Sequence, residues 1–365
     1  MIRFISLDKL RRLFRQERGV VAPLTAVSLV ALLGLTGAAI DLGALYSARG
    51  ELQNAADASA LAAANTMITY NSTNLAIAQP DVALTNAKNY SKANKSLGVV
   101  LNLRQPLGDD FTIGYYDNRA GAFDPNRVGL ALNDPSDLTA VRVTVRRDEQ
   151  ANQPVRTFFS GIVGVSEVGL SASSTAFLGF AASAPTGGTT IPIGVDEDAL
   201  KPTGGDSYAD PYCGKSITFH SENDENGSWT TFFDWPANSN TVDEFVCGCR
   251  DAPALKVGDM INITNGNLSN NIFTHLRDRF NHEKSGGQWT VTLPVYKSGG
   301  NSGAVEVVGF TNMVITEVRA APDKDVTGFL QCGTVVPKSA TGGIDFGARA
   351  TFSRLVPPGG QPGPP

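Results

Sequence analysis

The chain has 365 residues, which at about 150 residues per domain predicts two domains besides any anchor, and its 38 glycines and 20 prolines are typical of many short strands and turns. The net charge of −5 is uneven, because residues 1–18 carry six basic and two acidic side chains, a net of +4 that leaves −9 for the remainder. The negative charge of the remaining residues argues against nucleic-acid binding by this part of the chain.

The first predicted element is a long apolar helix. Residues 20–40 carry no charged side chain, and these 21 residues give a helix of about 32 Å, close to the ~30 Å hydrocarbon core of a bilayer. We therefore predict a transmembrane helix over residues 19–43, after a basic cytoplasmic stub at residues 1–18. Basic residues stay on the cytoplasmic side of a span, so the N-terminus is expected inside and the body outside.

Three other interpretations of this segment fit the sequence less well. A core helix of a soluble protein is disfavoured, because a basic leader precedes 21 uncharged residues. A cleaved signal peptide has an apolar core of about 7–15 residues, and this one is longer. Prepilin-type processing would cut after Gly19, but type IV pilins typically carry Glu five residues later, where this chain has Leu24. We expect an uncleaved anchor.

The helix is expected to continue beyond the span, since residues 44–66 are mostly helix formers, many of them alanine. Small side chains allow another helix to approach closely. Two interpretations stay open for this face: packing onto its own domain, or packing against copies and partners in a filament.

The next predicted elements complete a first domain at residues 44–180, of α+β class. They are a helix over residues 81–95, a loop over 117–136, a short helix that Pro154 begins and Gly164 ends, and strands over 111–115, 141–145 and 168–178.

Residues 181–190 (AASAPTGGTT) are predicted as a linker, and residues 357–365 as a disordered tail. Between them, residues 191–356 are predicted as a mainly β domain with one amphipathic helix, where Leu268, Ile272, Leu276 and Phe280 recur every four residues. Its strands are predicted at 191–195, 216–220, 228–233, 257–263, 288–296, 304–315 and 326–330. The fold class is therefore α+β, with an N-terminal transmembrane helix.

The span and its extension carry a recognisable motif. It includes Gly19 before the span, Asp41 and Gly43 at its outer edge, and the string LQNAADASALAAA at residues 52–64, with Leu52, Gln53, Asn54, Ala55, Asp57 and Ala58. This segment resembles TadG-like proteins of the tight-adherence (Flp) pilus system. Looser similarity covers residues 141–176, which look like the end of a TadE/TadG-type pilin-like domain, and parts of residues 257–330.

The resemblance implies a single-pass structural or assembly component in a bacterial cytoplasmic membrane, with its body periplasmic or extracellular. The implied partners are the lipid bilayer and pilin-like or pilus-secretion proteins, with no small-molecule substrate, nucleic acid or cofactor. Some TadG-like proteins carry a von Willebrand factor A domain with an Asp-x-Ser-x-Ser metal motif. This chain lacks that string, so the metal site is not carried over.

Four cysteines lie in the second predicted domain, outside the membrane in the expected orientation. An even count in an oxidising compartment predicts two disulfides, worth about 3–4 kcal/mol each in the chain-entropy model. On an extended strand Cys247 and Cys249 would face opposite sides, so we expect one to pair with Cys213 and the other with Cys332. A Cys₄ zinc site is the alternative, but its usual C-x₂₋₄-C spacing is absent.

Catalytic motifs are absent from the sequence: it contains no HExxH, GxSxG, P-loop or GxGxxG string. His275 and His282 are expected on a polar helix surface. Residues 222–227 (ENDENG) begin like a calcium loop, but position twelve is Phe233 where Glu is needed, so we expect a solvated turn. We therefore predict no enzyme. A membrane-displayed adhesion module is the alternative, and an envelope enzyme a weaker one.

Overall fold

The structure is a computed structural model that describes residues 18–70, 76–104, 108–117, 121–125, 139–200, 213–221, 226–264, 267–299 and 302–356. The predictions for the basic stub before Arg18, for the tail at 357–365 and for most of the 117–136 loop lie outside these residues, as does most of the acidic turn at 222–227.

The described residues form four α-helices and 24 strands, which confirms the predicted α+β class with a long N-terminal helix. The helices are α1 (Arg18–Thr66), α2 (Pro80–Lys92), α3 (Ser239–Val246) and α4 (Asn270–Glu283). The strands are β1 (Ile68–Tyr70), β2 (Ala76–Ala78), β3 (Lys95–Ser96), β4 (Val99–Val100), β5 (Phe111–Asp117), β6 (Ala122–Asp124), β7 (Ala140–Arg147), β8 (Val155–Arg156), β9 (Glu167–Val168), β10 (Leu170–Phe177), β11 (Phe180–Ala181), β12 (Ser183–Ala184), β13 (Ile193–Asp196), β14 (Ser216–His220), β15 (Gly227–Phe232), β16 (Leu255–Lys256), β17 (Met260–Thr264), β18 (Trp289–Tyr296), β19 (Gly303–Arg319), β20 (Asp325–Leu330), β21 (Thr334–Val335), β22 (Thr341–Gly343), β23 (Ala348–Arg349) and β24 (Arg354–Leu355).

The chain divides into two compact units, each made of several segments. The first contains Met1–Ala55, Ser91–Gly108 and Val145–Ala172, and the second contains Ala56–Tyr90, Asp109–Thr144 and Ser173–Pro365. This division differs from the predicted boundaries at residues 180 and 190, because distant parts of the chain contribute to each unit.

In the first unit, two short hairpins accompany α1. Strands β3 and β4 pair through Lys95 and Val100, and β8 and β9 pair through Val155 and Val168. The predicted helix beginning at Pro154 is wrong: Val155 is a buried strand residue, and helical backbone is confined to a 3₁₀ turn at Ser160–Val163. Gly164 ends this turn at φ +94°, the left-handed conformation that glycine tolerates.

The second unit contains a five-stranded sheet in the order β24–β10–β7–β5–β6. Buried Val141 and Val143 alternate with exposed Arg142, which is the period-two pattern that predicts a half-buried strand. Strand β5 pairs antiparallel with β7, from Phe111 opposite Val143 to Gly114 opposite Ala140.

The same unit contains a seven-stranded sheet in the order β14–β20–β19–β17–β15–β13–β18, in which β18 also pairs with β19. This extra pairing closes five strands into a ring and removes their free edges. The 17-residue β19 makes the closure possible, because Gly303–Glu306 pairs with β17 and the following residues pair with β18 and then β20. Helix α4 contributes Ile272, Phe273 and Leu276 to the core of this region.

Two features of the second unit depart from the predictions. The predicted linker at 181–190 contains strand residues: Ala181 lies in β11 opposite Thr341, and Ala184 pairs with Leu255, with both alanines buried. Helix α3 is a second helix where one was predicted. Asn238 caps it by accepting a hydrogen bond from the Thr241 amide at 3.1 Å.

Candidate functional site

The candidate site lies where the apolar part of α1 ends. Asp41 is only 5 % exposed, and its carboxylate accepts hydrogen bonds from three consecutive amides: Phe158 at 2.8 Å, Phe159 at 2.9 Å and Ser160 at 2.5 Å. Amides at the start of a helical turn lack partners within the turn, so a carboxylate there satisfies them as an N-cap does. Hydrogen bonds to an ionised group are also stronger than neutral ones.

Gly37, one turn earlier in α1, makes a second contact with the same loop. A Cβ atom at this position would lie 2.3 Å from Cγ of Phe159, so only glycine leaves room for the ring. The ring of Phe159 packs edge-on against that of Phe158, with centroids 4.9 Å apart. Together, Gly37 and Asp41 hold one face of α1 against the loop at residues 157–165.

Two further contacts attach the β3–β4 hairpin to α1. The hydroxyl of Ser96 donates to the carbonyl of Ala48 at 3.4 Å, and the amide of Leu97 donates to the Glu51 carboxylate at 2.7 Å. Both α1 residues lie further along the helix than Asp41. The first unit is therefore fastened to the helix at several successive levels.

Arg147, at the end of β7, links the hairpin to the segment that leads into the loop. Its buried guanidinium donates to the carbonyl of Ser96 at 2.9 Å and to the carbonyls of three turn residues at 3.1–3.3 Å: Asn152, Gln153 and Pro154. Burial lowers the pKa of the Arg147 guanidinium, and the negative charge of Glu51 opposes this shift. These bonds complete a connected path from the Ala48 region of α1 back towards the loop that binds Asp41.

The motif residues beyond Asp41 divide between two faces of α1. Leu52 and Ala55 are fully buried, and burial recurs every three or four residues at Ala56, Ala60 and Ala63. Of the two interpretations of the alanine face, the structure shows packing onto its own chain. The other motif residues are Gly19, within α1; Gly43, Gln53 and Asn54, exposed; and Asp57 and Ala58, half-buried.

The cysteine pairing differs from the prediction. The structure joins Cys213 to Cys332, with Cα atoms 5.5 Å apart, and Cys247 to Cys249, with Cα atoms 5.3 Å apart. The prediction assumed an extended strand at 247–249. The chain instead turns after α3, with Gly248 at φ +71°, and this turn brings the two neighbouring cysteines together.

Among the described residues, neither the two helix histidines nor the small cavity beside α3 forms a catalytic grouping. Nδ1 of His275 lies 2.7 Å from Asp243, both part-exposed, and His282 lies 3.5 Å from Glu283 at the surface. Within the described residues, no group of three or more His, Cys, Asp or Glu side chains is placed to hold a metal ion. A cavity of about 30 Å³ beside α3, lined in part by Thr189 and Arg279, has room for about one water molecule.

Sequence reasoning selected Asp41 but missed its partners. The apolar spacing of Phe158, Phe159 and Ile162 predicted a short helix, whereas Phe158 and Ile162 are exposed and only Ser160–Val163 forms a 3₁₀ turn. Gly37 carried a usable signal, because a glycine one turn before a carboxylate at a span edge allows another segment to approach closely. No role was predicted for Arg147, which is buried.

Family comparisons agree with the predicted resemblance. Residues 19–66 match the Tad family model, described as "Putative Flp pilus-assembly TadE/G-like", and residues 43–176 match the Tad_C model, described as "Putative Tad-like Flp pilus-assembly". Asp41 lies in the first match and the loop that it binds lies in the second. No curated protein and no solved structure matches the chain.

Proposed function

We propose that this chain is a membrane-anchored structural or assembly component of a Flp-type pilus, because residues 19–176 match two family models of Flp pilus-assembly proteins. Helix α1 crosses the bacterial cytoplasmic membrane once, with the basic stub in the cytoplasm and the body periplasmic or extracellular. One observation carries the anchoring. The helix from Pro23 is long and apolar enough to span a bilayer. Within its most apolar 18-residue stretch, 6 % of the residues are buried.

The environment of Asp41 supports placing the outer edge of the span at this residue. A carboxylate near hydrocarbon is costly unless its charge is satisfied. The amides of Phe158, Phe159 and Ser160 supply that satisfaction from the chain itself. The apolar run therefore ends at a carboxylate whose hydrogen-bond partners come from the protein itself.

The proposed mechanism is mechanical rather than catalytic, and it requires no cofactor. The contacts at Asp41, Ala48 and Glu51 make α1 an integral part of the first unit, so a force on that unit reaches the span directly. We propose that the parts of the body outside this region contact pilin-like or pilus-secretion proteins.

The test replaces two exposed leucines of the span in the full-length chain. Leu29→Arg with Leu33→Arg places two charges at membrane depth, each costing about 2.5–3.5 kcal/mol at a span centre, and the matched control is Leu29→Ala with Leu33→Ala. We expect the arginine variant to leave the carbonate-resistant membrane fraction and to fail to restore pili in a deletion strain. The alanine variant should do neither.

Three outcomes would contradict parts of the proposal. A chain that stays out of the membrane in its native form would refute anchoring. A deletion strain with normal pili but impaired attachment would favour the adhesion module instead. A reporter fused to the C-terminus that is active only in the cytoplasm would refute the proposed orientation.

A further inference from the structure

We propose that the 157–165 loop enters the outer interface of the lipid bilayer and forms a second membrane contact beside the span. The proposal rests on the anchoring of α1 proposed above. Three large apolar side chains of this nine-residue loop are exposed: Phe158 at 79 %, Ile162 at 82 % and Val165 at 49 %. Such clustering in water is unfavourable and marks a surface that contacts protein or membrane.

The position of the loop indicates which of these surfaces it meets. Its amides bind Asp41 at the span edge, and Phe159 packs against Gly37, about 6 Å further into the apolar run at about 1.5 Å per residue. The loop therefore lies beside the last turn of the span. Ile40 and Leu42, on either side of Asp41, are also more than half exposed, so the apolar surface of the helix continues onto the loop.

Most backbone amides of the loop have hydrogen-bond partners within the protein, as contact with a membrane requires. Within a bilayer, backbone polar groups need partners from the protein itself. Three loop amides bind Asp41, and others bind carbonyls of the same loop and its flanks: Thr157 to Ser166, Ile162 to Phe159, Gly164 to Gly161 and Val165 to Ser160, at 3.0–3.2 Å. A loop built only for contact with water does not need this degree of pairing.

The ends of the loop have the opposite character. Arg156 is highly exposed and lies 3.4 Å from Glu167 in an ion pair at the base of the loop. A charged base below an apolar tip matches the change from headgroups to acyl chains at a membrane interface. A lipid surface therefore fits both ends, whereas a second copy of the chain would have to bury the apolar tip in a matching groove.

The experiment places a spin label at single introduced cysteines in the full chain, reconstituted in phosphatidylcholine–phosphatidylglycerol nanodiscs. No free cysteine is present among the described residues, so under non-reducing conditions the label reports the introduced site. Ile162→Cys tests the loop. Val100→Cys is the matched control, because Val100 is also an exposed apolar residue of the first unit, on the hairpin fastened near Glu51. Leu29→Cys tests the span itself.

Collisions with oxygen and with a water-soluble nickel chelate distinguish the outcomes. We expect the oxygen-to-chelate ratio at 162 to be several-fold higher than at 100 and to approach the ratio at 29. Equal ratios at 162 and 100, with a lipid-like ratio at 29, would overturn the loop proposal and leave the anchor intact. A water-like ratio at 29 would refute the anchor. Protection of residue 162 from both agents would also overturn the proposal, because it would show a protein partner.

Discussion

The contact between Gly37 and Phe159 gives the sharpest prediction, because it depends on the absence of one carbon atom. In Gly37→Ala the added Cβ would lie 2.3 Å from Cγ of Phe159, well inside the roughly 3.5–4.0 Å at which carbon atoms attract. Overpacking of this kind costs about 1–3 kcal/mol. At about 1.4 kcal/mol per tenfold, the loop should open roughly 5- to 150-fold more often.

Hydrogen exchange of the Phe158, Phe159 and Ser160 amides measures this opening, because those amides are protected only while the loop is docked on Asp41. Gly43→Ala is the control, since a Cβ there meets nothing within 4 Å. Equal exchange in Gly37→Ala and Gly43→Ala would refute the predicted steric conflict. In a Phe159→Gly background, Gly37→Ala should add little further loss, because both the ring and the Cβ atom of residue 159, which would lie 2.3–2.6 Å from the new Cβ, are gone.

Two further predictions concern stability. Arg147→Met should destabilise the first unit by about 2–4 kcal/mol, because four buried or half-buried carbonyls lose their donor. The control, Arg156→Met, changes an exposed arginine and should alter stability by no more than about 0.5 kcal/mol. Hydrogen exchange of the β3–β4 hairpin measures the destabilisation in each variant, and equal values in the two variants would contradict the prediction. Replacing both cysteines of the 213–332 disulfide by serine should cost about 5 kcal/mol in the chain-entropy model, against about 1.6 kcal/mol for the 247–249 disulfide, whose closed loop is far shorter. Urea unfolding of the full chain measures that difference, and the reverse order would refute the loop-length reasoning.

Local patterns predicted the strands well. Strand β14 occupies the predicted residues 216–220, and β7 contains the predicted alternation of valines with polar residues. Such strands expose one face and bury the other, so apolar and polar residues alternate along their sequence. Helix α4 likewise follows from its apolar residues every three to four positions.

The predictions failed where a distant residue determines local structure. Val155, Phe158 and Ile162 have helical spacing, yet Val155 pairs in a strand and the loop amides bind a carboxylate 117 to 119 residues earlier in the chain. The cysteine pairing failed for a local reason. A glycine with positive φ reverses the chain between Cys247 and Cys249, and an extended geometry was assumed there.

The spacing of the attachments along α1 explains why such a distant contact is useful to an anchor. Asp41 and Glu51 are ten residues apart, so the contacts of the first unit cover about 15 Å of helix. No proline interrupts this stretch, although Gly43 and Gly50 lie within it. An unsupported helix leaving a membrane would bend at its weakest point. In the proposed anchor, the contacts at Gly37 and Asp41 lie at the edge of the span, so the helix and the first unit bear a load together.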